Sequence, residues 1–165
     1  MARVLLIIEI MRFEWQISAA QGYAELGMRR ESLAELDDIE PELQGRPEVL
    51  QLRLHHLMHA RKWVKALTIS RKLCRIAPHC GTGFLHAGFC LHELGKTAEA
   101  KKLLLKGPTT LLKEPIYYYN MGCYDALLGN VKDARLHLEI SFEMDSTFRE
   151  LAKMDPDLKA VQPFL

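Results

Sequence analysis

The chain has 165 residues, enough for one compact domain or one short repeat array. Hydrophobic residues at 48% exclude a disordered chain, and a net charge of +1 from 22 basic and 21 acidic residues argues against a nucleic-acid-gripping domain. Four cysteines without a CxxC pair indicate neither a disulfide scaffold nor a zinc ribbon, and no apolar run approaches the roughly 18 residues that span a bilayer.

At the amino terminus, Val4 to Ile8 is apolar, but Glu9, Arg12 and Glu14 follow at once. A secretory signal needs about 7–15 charge-free apolar residues, so the reading is a cytoplasmic protein with reduced thiols. Residues 1–12 are expected to be a leading segment or packing helix. From there the chain repeats every 34 residues. Ser32, Ala66, Ala100 and Ala134 form one column at that step. Gly27, Arg61, Gly95 and Gly129 form a second, and Ala20, Leu54, Gly88 and Gly122 a third. Tyr23, Leu57, Leu91 and Asp125 form a fourth, and Pro47, Gly81 and Pro115 open three units in the same phase. The units are placed at about 13–46, 47–80, 81–114 and 115–146.

Unit three shows the physical pattern best. Residues 82–94 read as a helix ended by Gly95, a residue free to take positive φ. Residues 97–105 read as a second helix stopped by Gly107 and Pro108. Each unit is therefore a hairpin of two short helices whose small residues let the backbones approach. The early prolines Pro41 and Pro108 of units one and three, and Ser146 in place of the closing proline of unit four, predict second helices that are shorter or bent. Residues 147–165 read as a cap, with Phe148, Leu151 and Ala152 as an apolar stripe. Asp155 N-caps a last short helix, with Pro156 in its first turn and Leu158 and Val161 folded back.

With these residues in place, the chain resembles the tetratricopeptide repeat (TPR) family. The resemblance rests on LHAGFCLHELGKTAEA (85–100), YYNMGCYDALLGNVKDA (118–134) and ARKWVKALTISRKLCRIAP (60–78), and more weakly on residues 17–36. It covers about residues 13–146. It implies an all-α fold, a right-handed TPR-like superhelix (α-solenoid) of antiparallel hairpins with a capping helix. It also implies a concave face, lined by the first helix of each unit, that holds a peptide of a partner protein. The 34-residue register then puts Gln51, His55, Met58, His59, Leu85, Phe89, His92, Ile116, Tyr119 and Cys123 in that partner-binding groove. Glu14, Ile17, Gln21, Ala24, Glu25 and Glu48 continue it toward the amino terminus, and Thr82, Glu93, Ala126 and Leu127 complete units three and four.

Other chemistry is weighed against this frame. His86 and Cys90, four apart on one helix, could share a metal, but no second pair stands at ligand spacing, and the reading is no metal and no cofactor. Cys123 and Ser141 have no base and orienting acid in any local pattern, so no catalytic residue and no enzyme is read. Of the three tyrosines, Tyr118 is expected to pack inward, with Tyr117 and Tyr119 at the rim or groove. Residues 47–80 carry a net charge of +6, and Arg71, Lys72, Arg75, Lys101, Lys102 and Lys106 read as a solvated outer stripe on second helices. Cys74, Cys80 and Cys123 are expected to be dispensable for the fold, and Cys90 to be buried.

The functional expectation is a non-enzymatic scaffold or adaptor that binds a protein or peptide partner, with no nucleic acid, no membrane and self-association left open. The alternative is a small TPR chaperone that shields one client, similar to the bacterial type III secretion chaperones. The co-chaperone clamp for heat-shock carboxyl termini does not fit, because Ile17, Gln21, Leu52, Thr82 and His86 supply no fixed cation for its carboxylates.

Overall fold

A computed structural model describes residues 2–162. Among these, every regular element is helical. The chain divides into two compact units, residues 1–62 and 63–165.

The first unit contains α1 (Ala2–Glu25), α2 (Arg29–Asp37) and α3 (Pro47–His59), with a 3-10 turn at Pro41–Leu43. Its core is built from Phe13 and Ala20 of α1, Leu36 of α2, Ile39, and Val49 of α3. α1 runs unbroken for 24 residues, through residue 12, the expected end of the leading segment. Ile7, Ile8 and Met11 on it are 52%, 56% and 64% exposed, while Phe13 and Ala20 belong to the core.

The second unit contains α4 (Trp63–Ile76), α5 (Gly81–Glu93), α6 (Thr97–Leu105), α7 (Pro115–Leu127), α8 (Val131–Met144) and α9 (Thr147–Met154), with 3-10 turns at Thr109–Lys113 and Pro156–Leu158. Within it α5 packs on α4 and α6, and α7 packs on α8, α6 and the Pro156–Leu158 turn. The core includes Ala87, Cys90, Leu104, Leu111, Met121, Leu138, Leu158 and Val161.

The 34-residue step is visible in the backbone. Helices begin at 47, 81 and 115, and again at 29, 63, 97 and 131. The corner after each first helix repeats the same hydrogen bond, in which the amides of Met28, Lys62, Lys96 and Asn130 donate to the carbonyls of Tyr23, Leu57, Leu91 and Asp125 at 2.8–2.9 Å. This is the six-residue closure of a Schellman C-cap, and it needs one residue of positive φ. Gly27, Gly95 and Gly129 supply it at 73°, 76° and 81°, but at the fourth corner the residue is Arg61, at φ 52°. A Cβ is disfavoured there, so Arg61→Gly should raise stability by about 0.5–1 kcal/mol, read as a higher urea midpoint with an unchanged slope.

The second helices of units one and three are short, but that of unit four is not: α2 and α6 have nine residues each, while α4 and α8 have fourteen. Each short helix is followed by a proline-led 3-10 turn that completes the span. The small-residue columns sit at the helix contacts. Ser32, Ala66, Ala100 and Ala134 are all fully buried. A Cβ on Gly88 would come within 3.1 Å of Leu104, and one on Gly122 within 2.6 Å of Leu138, the same contact 34 residues later.

Candidate functional site

Within the first unit, α1 and α3 leave a cleft of 420 Å³ between them. It is lined by Ile17, Gln21, Ala24 and Glu25 from α1, and by Glu48, Gln51, Leu52 and His55 from α3. All but Leu52 are positions that the 34-residue register assigns to the groove. Of the other two candidates on α3, Met58 is half-buried and His59 exposed, with its ring 4.4 Å from that of His55.

Beneath this histidine pair lies His56, which sequence reasoning passed over. It is buried, and its Nε2 sits 2.7 Å from Ser32 Oγ. Ser32 has one hydroxyl proton, and it donates that proton to the Ala20 carbonyl at 2.7 Å. Ser32 can only accept from His56, so His56 carries its proton on Nε2. Burial holds the His56 pKa below its ordinary value, helped by the positive neighbours His55, Arg29, His59 and Arg53. The folded state therefore binds the His56 proton less readily than the unfolded chain does. Stability is fully present above about pH 6.5 and falls as the pH drops toward the lowered folded value. We expect His56→Gln, which keeps an N–H donor but cannot ionise, to flatten the loss of urea midpoint between pH 7.5 and 5.5.

In the second unit, α5 carries Leu85, Phe89 and His92, and α7 carries Ile116, Tyr119 and Cys123. Leu85, Phe89 and Ile116 are half-buried, and the Phe89 ring meets the Trp63 ring edge-on at 5.7 Å. The remaining three are not open, because the segment after α9 lies across them. Tyr119 donates its hydroxyl to Asp155 Oδ2 at 2.7 Å, and the Cys123 thiol approaches the same oxygen at 3.7 Å. The other Asp155 oxygen accepts the Asp157 amide at 2.9 Å, which is the expected N-cap. His92 Nε2 contacts Asp157 Oδ2 at 2.9 Å, its Nδ1 faces Thr97 Oγ1 at 3.1 Å, and its ring lies 5.2 Å from that of Tyr124. Leu158 and Val161 are fully buried behind these contacts. Burial, then the nearby Asp155, pushes the Tyr119 hydroxyl and the Cys123 thiol well above their ordinary values. Both stay protonated and serve as donors toward the carboxylate.

Several expectations are corrected here. Tyr117 and Tyr119 are buried and Tyr118 is half-buried, the reverse of the sequence reading. Cys123 is buried against Asp155 rather than standing free on the groove. Leu151 is 51% exposed and does not join Ala152 in the cap's apolar stripe. Lys101 is not on a solvated stripe. Its Nζ pairs with Asp125 Oδ1, and the fully buried Asp125 carboxylate also accepts Asn130 Nδ2 at 3.0 Å and meets His137 Nδ1 at 3.1 Å.

For a metal, His86 and Cys90 are a poor pair. His86 Nδ1 is 2.8 Å from the Thr82 carbonyl, so that nitrogen carries the proton and the ring's lone pair is on Nε2. Burial pushes the Cys90 thiol up to about 11, away from the thiolate that a metal binds. Among the described residues no three His, Cys, Asp or Glu side chains are grouped to hold an ion. No helix among them is long and apolar enough to cross a membrane. Comparison of the chain with protein-family models and with curated proteins finds no match.

Proposed function

We propose that the chain is a non-enzymatic, cytoplasmic protein-interaction module of TPR-like repeats, an α-solenoid whose first helices hold a segment of a partner protein. The 34-residue recurrence of hairpins, corner hydrogen bonds and small-residue contacts supports the repeat reading. One observation carries the binding role. The cleft between α1 and α3 is lined by Gln21, Glu25, Gln51 and His55, which are register positions of the groove and not core positions. A concavity that mixes apolar floor with convergent polar groups is the usual form of a binding site.

The test begins with affinity capture from a cell lysate, followed by titration of the recovered partner. The paired variant Gln51→Ala/His55→Ala should weaken binding at least tenfold while helical content and melting stay as in the parent. Charge reversal at the exposed Arg71 and Lys72 should change affinity little. Unchanged affinity in the first variant, with a large loss in the second, would move the site to the basic second-helix surface.

A further inference from the structure

The apolar end of the expected groove already holds a peptide, and that peptide belongs to the chain itself. Residues 155–161 read Asp-Pro-Asp-Leu-Lys-Ala-Val. The second oxygen of Asp155 takes two donors from α7, the Tyr119 hydroxyl and the Cys123 thiol. Asp157 takes the Nε2 of His92 from α5. Leu158 and Val161 enter the apolar interior beyond them and are fully buried. By contrast Lys159 and Ala160 are exposed. The surface beneath the segment is thus donor-lined at one end and apolar at the other, and it reads Asp, Asp, then two apolar side chains three residues apart.

The attachment is local. Only α9 separates the segment from the hairpin of α7 and α8, and Met154, Lys153 and Leu151 of α9 are exposed. On the same two helices Leu85, Phe89 and Ile116 remain half-exposed. A partner segment longer than residues 155–161 that runs on along α5 and α7 would meet these apolar side chains.

We propose that the α5–α7 face is a receptor for an acidic segment of a partner protein, of the pattern Asp-x-Asp-Φ-x-x-Φ with Φ apolar, and that residues 155–161 are its built-in competitor. This rests on the protein-binding reading above and names the ligand chemistry for its second-unit end. The tail then acts as a resident pseudo-ligand. A partner must match its carboxylates and apolar pair and add contacts on Phe89 or Ile116 to displace it. Partners without the two carboxylates leave the Tyr119 and His92 donors unpaired and are rejected.

The probe is a fluorescent peptide of residues 154–162, used with the full-length chain. The parent should bind it weakly, because its own tail is present at high effective concentration. Asp157→Asn and the stronger variant Leu158→Asp/Val161→Asp should loosen the tail and raise probe affinity at least tenfold. In the loosened background Tyr119→Phe should return the affinity toward that of the parent. A probe peptide carrying asparagine at both aspartate positions should not bind. Variants that stay helical yet take the probe no better than the parent overturn the proposal.

A measurement on the parent alone does not depend on how the variants fold. Millimolar peptide should speed hydrogen exchange at the amides of residues 157–161 and leave the protection of α5 and α7 unchanged. No change there overturns the proposal. So does concentration-dependent dimerisation with the tail amides protected, since the occupant would then be a second copy. If the probe fails while the Gln51 and His55 variant still abolishes partner capture, the ligand chemistry is wrong and the protein-binding reading stands.

Discussion

Lys101→Ala should be among the most destabilising single changes in this chain. The Asp125 carboxylate has no exposure, and it pairs with the fixed positive charge of Lys101 on the neighbouring helix α6, whose side chain is 22% exposed. Removing one partner of a buried ion pair costs about 3–5 kcal/mol, because the remaining charge is left without compensation. Asn130 and His137 still offer hydrogen bonds to Asp125, so the lower end is expected, about 3 kcal/mol. At about 2–4 °C per kcal/mol for a chain of this size, the melting temperature should fall by about 6–12 °C. The double variant Lys101→Met/Asp125→Leu should recover most of the loss, since it removes the charge as well as its partner. Recovery by the double variant, measured as a coupling energy, separates this account from a simple packing defect. A Lys101→Ala protein that melts like its parent would show that the pair contributes nothing.

Ala134→Leu should come close to the same loss by a different route. Ala134 is fully buried on α8, and its carbonyl lies only 3.3 Å from where a Cβ on Gly122 of α7 would stand. Three added carbons have no space at this contact, and overpacking of this kind costs about 1–3 kcal/mol. Ala100→Leu, one repeat earlier and also fully buried, should behave alike. Ala98→Leu on the same helix is the control, because Ala98 is exposed and leucine is a comparable helix former. Urea midpoints should fall for the two buried sites and hold for the control. Equal midpoints at all three would mean that the 34-residue column does not mark the helix contacts.

The hairpins were legible because their signals are local. Pro47, Gly81 and Pro115 mark first-helix starts, the glycine column marks the corners, and Pro41 and Pro108 mark the two shortened helices. In α1 and α3 the 34-residue period also agrees with the cleft, since seven of its eight lining residues are register positions. What could not be read were contacts between residues far apart in the chain. Asp155 was readable as an N-cap, which uses one carboxylate oxygen and a neighbour two residues away. Its other oxygen meets Tyr119, 36 residues earlier, and no local pattern announces that. Lys101 failed for the same reason, because a lysine on a second helix reads as solvated until a buried carboxylate 24 residues away is known. The tyrosines failed for another. An amphipathic template assumes one buried face, but α7 is buried at Tyr117, Tyr119 and every position from Met121 to Ala126. A helix packed by α6, α8 and the tail on more than one face gives a one-face rule no side to choose.

The tie between His92 and Asp157 spans 65 residues of chain, and this has a consequence in time. At about 5–20 residues per second, a ribosome that has just released His92 needs about 3–13 seconds more to release Asp157. Through that interval His92 of α5, and then Tyr119 and Cys123 of α7, exist without the carboxylates that meet them in the finished chain. Every newly made molecule therefore passes once through a state in which these donors lack their partners. A segment present at the site of synthesis meets them then without a competitor, and synonymous codon changes that slow translation between residues 128 and 157 would lengthen the encounter without altering one atom of the finished protein.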